Sequence, residues 1–250
     1  MLFLQFLIDF YFGLFYYNSL RKQVCEGISL ASLSIYAGGY GSGKTEVALN
    51  FALEKAAGAG EVVLADLDFV NPYFVSREVK ADIEQKGIKL IAPSGEFFLG
   101  DVPNVPAEII GFLRQDNDML LDLAGDEIGA LMLGYLSRYV ALRPNYDLYL
   151  VLNPYRPFAM DLHSIKELKV LLEDTANLKF TGIISNPNLV EETDIDVIRK
   201  GHQKVLSFAK SFGIPVKYLT VEERFYDQLF PEYRAMLKKL KLYLRPDWLQ

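Results

Sequence analysis

The chain has 250 residues, of which 51% are apolar and 23% charged, and a formal net charge of -6. A chain of this size buries enough surface to fold without staples, and a single cysteine, Cys25, with two histidines, His163 and His202, leaves no disulfide framework, zinc finger or iron–sulfur centre to be built within it. The acidic balance argues against broad electrostatic binding of nucleic acid, whose affinity comes from Lys and Arg displacing counterions.

Residues 2–17 are almost unbroken Leu, Phe, Tyr and Ile, interrupted by Gln5, Asp9 and Gly13. The run is shorter than the ~20 apolar residues of a comfortable membrane span. It also lacks the basic start and small-residue cleavage site of a secretory signal. Residues 1–31 are therefore read as an aromatic-rich extension outside the domain, with a membrane-contacting anchor and an extra core helix as the alternatives. The domain itself is expected to run from residue 32 to residue 250.

From Leu33 onward, short β-branched or aliphatic runs alternate with longer helical stretches, the pattern of βαβ units. Strands are expected at Leu33–Ala37, Val62–Leu67, Ile88–Ile91, Met119–Leu123, Leu148–Leu152, Phe180–Ile184 and Val216–Leu219. Helices are expected at Lys44–Ala57, Phe74–Lys86, Ala107–Arg114, Ile128–Ala141, Asp161–Glu173 and Asp194–Phe212, with one or two more after Val221. No repeat or linker divides this region. The fold class is α/β: a three-layer, doubly wound, mostly parallel sheet of about seven strands with helices on both faces, binding ligands at its C-terminal edge. The tail from Pro231 carries five basic against two acidic side chains. There Tyr233, Met236, Leu237, Leu240 and Leu244 fall at helical spacing, which predicts a basic amphipathic C-terminal helix, docked on the acidic domain or lying on a membrane surface.

The sharpest motif is Gly38-Gly39-Tyr40-Gly41-Ser42-Gly43-Lys44-Thr45, between a predicted strand and a predicted helix. It satisfies G-x-x-x-x-G-K-[ST], the phosphate-binding loop. Glycines let the backbone curl so that N–H groups point inward at phosphate oxygens, and the following helix adds the positive end of its dipole. Lys44 then reaches the β- and γ-phosphates and the Thr45 hydroxyl ligates Mg²⁺. A ligand-free glycine turn gives no reason for Lys and Thr to follow at that register.

Two carboxylate clusters should complete the site: Asp66-Leu67-Asp68 after the second predicted strand, and Asp122-Leu123-Ala124-Gly125-Asp126 after the fourth. In a parallel sheet both strand ends share the edge that carries the loop. Any one of these aspartates alone reads more plainly as a helix N-cap or an Asx turn. With the loop beside them, metal and phosphate chemistry becomes the better account. Arg156, in Asn153-Pro154-Tyr155-Arg156-Pro157, has two readings: it offsets phosphate charge, or it pairs with a surface carboxylate such as Asp161. Glu46 reads as a first-turn carboxylate favoured by the helix dipole. His163 and His202 carry no catalytic assignment.

The ordered set of phosphate loop, D-x-D, D-x-x-G-D, Asn153-Pro154 and Asn186 resembles the MinD/ParA-type P-loop ATPases, over residues 33–220. The resemblance implies ATP and Mg²⁺ as ligands and slow ATP hydrolysis that works as a switch. It implies that Asp66 holds a metal-bound water, that Asp68 orients the attacking water, and that Asp122 is the Walker B carboxylate. It further implies that Gly125 offers its amide to the γ-phosphate, that Asp126 is a switch aspartate, and that Asn186 reads the adenine amino group. Two departures stand out. The second lysine of that family, one residue after the first glycine, is Gly39 here, which weakens the case for an ATP-driven homodimer. The cysteines that hold metal in some of its branches are absent. A cytoplasmic protein, peripheral to a membrane if the termini attach it, fits this reading. Two alternatives to the switch remain: a small-molecule kinase or ligase with a pocket lined by Glu96, Asp101, Asn104 and Arg156, and a non-hydrolysing nucleotide-binding module of a membrane-associated assembly.

Overall fold

A computed structural model describes residues 31–58, 61–68, 80–92, 98–99, 102–103, 105–143 and 145–244. The chain divides into two units, Met1–Ala31 and Ser32–Gln250. The residues described belong to the second, Ala31 apart, so the N-terminal extension and the predicted helical start at Phe74 lie outside them.

The elements run β1 Leu33–Ala37, α1 Lys44–Ala56, β2 Val62–Leu67, α2 Lys80–Gln85, β3 Ile88–Ile91, β4 Phe98–Leu99 and β5 Val102–Pro103. They continue as α3 Ala107–Leu113, β6 Asp118–Leu123, α4 Glu127–Val140, β7 Tyr146–Leu152, α5 Leu162–Ala176 and β8 Gly182–Ser185. The last are α6 Ile195–Phe212, β9 Val216–Glu222, α7 Glu223–Tyr233 and β10 Leu237–Leu240. One sheet of eight strands has the order β10-β9-β8-β7-β1-β6-β2-β3, and every pairing in it is parallel. The β4 and β5 strands form a separate two-residue antiparallel pair.

The period-two alternation of the strands sorts the core into two faces. Leu33, Ile35, Leu121, Leu123, Leu148 and Leu150 pack under Ile109, Met132, Ile165 and Val205 from α3 to α6. Tyr36, Leu64, Leu120, Tyr149 and Val151 face the other way, onto Val47 and Leu49 of α1 and Ile83 of α2. This is the expected three-layer α/β sandwich with a P-loop NTPase-like arrangement. Helix starts are set locally: Asp126, Asp161 and Asp194 each accept backbone N–H groups as N-caps of α4, α5 and α6. Because β1 lies between β6 and β7, the ends of all three strands meet at one edge, and the chain order changes direction there.

The tail corrects one expectation. The predicted amphipathic C-terminal helix is not formed: α7 contains Pro231 and ends at Tyr233, Arg234 adopts φ 51, and after a short 3₁₀ turn Leu237–Leu240 becomes the eighth strand. Leu237 and Leu240 are buried by pairing with β9. Lys238 and Lys239 pair with Glu54 and Glu223 and so present no free basic face. The open edge of β9 supplies hydrogen-bond partners that a helix would leave unmade.

Candidate functional site

The loop Gly38–Gly43 leaves the C-terminal end of β1 and turns into α1, whose first residue is Lys44. Gly43 sits at φ 82, in the left-handed region, and a Cβ there would lie 2.3 Å from Asn186 Nδ2, so backbone conformation and space both require glycine. Gly125 is required by proximity alone: a Cβ on it would lie 2.5 Å from the Gly38 carbonyl oxygen, which places the segment opening α4 directly against the loop. No side chain caps the first turn of α1. Its leading amides are therefore left for an anion. The Ser42 Oγ is buried without a partner, while Tyr40 is 65% exposed.

Below the loop, parallel pairing of β2 with β6 sets Asp66 opposite Asp122. Asp66 Oδ1 accepts the Asp68 backbone N–H at 2.9 Å, which fixes the turn of the D-x-D segment. Lys44 Nζ donates to Asp68 Oδ2 at 2.9 Å, with both side chains largely buried. Asp122 is 1% exposed, and neither of its oxygens meets a hydrogen-bond partner at bonding geometry, although the nearby Thr45 hydroxyl favours its charged form. Burial pushes the Asp122 carboxyl up to about 7; Lys44 pulls against this and the Asp66 charge adds to it. Burial also raises Asp66, to about 6, against the hydrogen bond from the Asp68 amide. Lys44 suffers the opposite desolvation, but the charges of Asp122, Asp68 and Asp66 outweigh it and its pKa goes up.

A fully buried carboxylate with two open oxygens, beside a threonine hydroxyl at a helix start, suits Mg²⁺, which takes hard oxygen ligands and fills its shell with phosphate and water. Thr45 and Asp122 would hold it directly, and Asp66 through water. Among the described residues, no group of three or more His, Cys, Asp and Glu is gathered to bind a metal by itself. The phosphate chain would have to complete the shell.

The chain is similar to chloroplast FtsY from Physcomitrella patens. Identity is 18% and the TM-score 0.51, over 77% of this chain and 59% of that one, so the chain spans less than two thirds of FtsY's length. Cell division protein FtsY from Thermotoga maritima (18% identity, TM-score 0.48) is matched over 76% of this chain and 62% of its own. A nucleotide-binding protein in complex with ADP from Archaeoglobus fulgidus (18%, TM-score 0.46) is matched over 79% and 84%. The chloroplast FtsY likeness shows the fold. The chain matches no protein-family model and no curated protein.

The remaining predicted residues take these positions. Asp126 is exposed and caps α4, its Oδ1 accepting from the amides of Ile128 at 3.0 Å and Gly129 at 3.2 Å, the plainer of the two roles open to it. Asn186 does reach the loop, but its amide is engaged: Nδ2 donates to the Ser42 carbonyl at 2.8 Å and Oδ1 accepts from Thr220 Oγ1 at 2.9 Å. It clamps the loop to β8 and β9. Arg156 packs its stem beside Gly41, with a buried Nε that has no partner. Its expected partner Asp161 is occupied in capping α5 and bonding Ser164. Glu96, Asp101 and Asn104 lie outside the described residues.

The sequence reading missed the second half of the site. A cavity of about 220 Å³ opens from Gly41 and Gly43 and is walled by Asn188, Val190, Leu242 and Leu244. The alternation Leu240-Lys241-Leu242-Tyr243-Leu244 carries a period-two signal, but helical spacing in the preceding residues obscured it. No helix among the described residues is long and apolar enough to cross a membrane.

Proposed function

We propose that this chain is a Mg²⁺-dependent ATP-binding switch with slow hydrolysis, of the MinD/ParA kind. The observation that carries the reading is a buried ammonium, Lys44, held among Asp66, Asp68 and Asp122 directly beneath a loop whose amides are open to an anion. Such a cluster is costly unless a triphosphate and a cation complete it. Bound Mg²⁺ would neutralise charge on the β- and γ-phosphates and relieve the crowding of carboxylates. Lys44 would exchange Asp68 for phosphate oxygens. Asp68, released, would accept a hydrogen bond from a water and so orient it for attack. Asp68 through its bond to Lys44 and the segment at Gly125 through its contact with Gly38 both meet the loop region, so the presence of the terminal phosphate would be communicated to both.

Gly39 bears on assembly. A Cβ there would lie 2.7 Å from Phe158 Cβ. Phe158 closes the place from which a second lysine would extend, and no lysine-crossed dimer is part of the proposal. The test is calorimetric titration with Mg-ATP and Mg-GTP alongside phosphate-release assays, on wild type and Lys44→Ala. Wild type should bind ATP more tightly than GTP and release phosphate slowly, and the variant should do neither. Equal binding by Lys44→Ala would overturn the site, and undiminished binding without Mg²⁺ would overturn the metal.

A further inference from the structure

We propose that residues 240–244, at the end of β10 and just beyond it, are a docked strap forming one wall of the nucleoside pocket, so that base recognition depends on the docked strap. This rests on the nucleotide reading above and extends it to the base.

The strap is fastened to the helix that begins with Lys44 and Thr45. Tyr243 N donates to Glu46 Oε1 at 2.8 Å and Leu244 N to Glu46 Oε2 at 3.0 Å, so one carboxylate holds two successive amides. One helical turn on, Asn50 exchanges a pair of hydrogen bonds with Lys241: Lys241 N donates to Asn50 Oδ1 at 2.8 Å, and Asn50 Nδ2 donates to the Lys241 carbonyl at 2.9 Å. Alternation along the extended chain then directs Leu240, Leu242 and Leu244 to the cavity of about 220 Å³ that opens from Gly41 and Gly43.

The facing wall is tied down by hydrogen bonds. Val190 is held at φ 61, a conformation costly for a β-branched residue. Three bonds maintain it: Val190 N to Asn188 Oδ1 at 2.6 Å, Leu189 N to Thr193 Oγ1 at 2.8 Å, and Asn153 Nδ2 to the Asn188 carbonyl at 2.8 Å. Two apolar walls, Val190 and the strap leucines, with polar groups at the rim and phosphate amides at one end, fit a flat heteroaromatic base attached to a phosphate chain.

The experiment compares Mg-ATP with Mg-tripolyphosphate, which offers the loop the same phosphates without a base, on wild type, Leu242→Ser and Glu46→Ala. Wild type should bind ATP more tightly than tripolyphosphate. Both variants should lose about tenfold or more of their ATP affinity while keeping tripolyphosphate affinity within about twofold, and that retained affinity also shows that each variant is folded. Unchanged ATP affinity in both variants overturns the strap's role. So does a parallel loss of both ligands, or a wild type that binds the two equally. Wild type binding neither ligand refutes the nucleotide reading itself.

Discussion

Replacing Asp122 by Asn gives the buried carboxylate a neutral counterpart of almost the same shape, and the structure sets both the sign and the size of the effect. In the folded protein the carboxyl is raised to about 7 by burial, while an unfolded aspartate titrates near 4. The folded state thus holds the proton more tightly than the unfolded state. Stability is full below pH ~4, falls as pH rises towards ~7, and levels off above it. A gap of about three pKa units at ~1.4 kcal/mol each amounts to about 4 kcal/mol between the two ends of that window. Asp66, raised to about 6, adds a slope of the same sign and remains in the variant. Urea unfolding at several pH values between 4.5 and 8, in EDTA, measures this directly. Wild type should lose stability as pH rises, and Asp122→Asn should lose several kcal/mol less over the same range. Mg²⁺ with nucleotide should restore stability to wild type at pH 8 and do little for the variant, because the cation takes the place of the proton. Identical pH slopes for the two proteins would refute the argument, since they would mean that Asp122 is not charged at a cost.

Asp68→Asn keeps an oxygen for Lys44 but loses the charge proposed to orient water; ATP binding should persist while phosphate release falls by about 10²-fold or more, as a single-turnover assay would report. Gly39→Lys should destabilise the protein by about 1–3 kcal/mol through overpacking against Phe158, and light scattering should show no ATP-dependent dimer in the variant. Asn186→Ala removes the clamp on Ser42 and Thr220. It should weaken ATP and inorganic tripolyphosphate alike in calorimetry, by an amount matching the ~1–3 kcal/mol of a lost buried hydrogen-bonded group; loss of ATP binding alone would instead make Asn186 a reader of the base.

Much of the fold was legible because its signals are local. Strands at Leu33–Ala37, Val62–Leu67 and Ile88–Ile91 form where expected, since β-branched and aliphatic runs of that length, bounded by Gly, Pro and Asp, pack only between two helical layers. The loop and the strand-end aspartates were legible for the same reason: a glycine-rich turn between strand and helix is a short-range arrangement, and parallel strands carry their C-terminal residues to one edge. Asp126 shows where such reading is ambiguous, because one side chain type serves both as a cap and as a switch.

What the sequence determined by itself, then, was the alternation of elements and the sheet edge at which the glycine loop and the strand-end aspartates are gathered. Tertiary structure decided the rest. Leu237–Leu240 suits either period, and it is a strand because β9 offers an open edge and because Glu54 and Glu223 stand where Lys238 and Lys239 then point. The bonds of Lys44 to Asp68, of Asn186 to Ser42 and of Glu46 to the amides of Tyr243 and Leu244 join residues 24, 144, 197 and 198 positions apart. No periodicity encodes such pairings; they exist because a buried charge or amide must find its partner wherever the packed sheet has carried one.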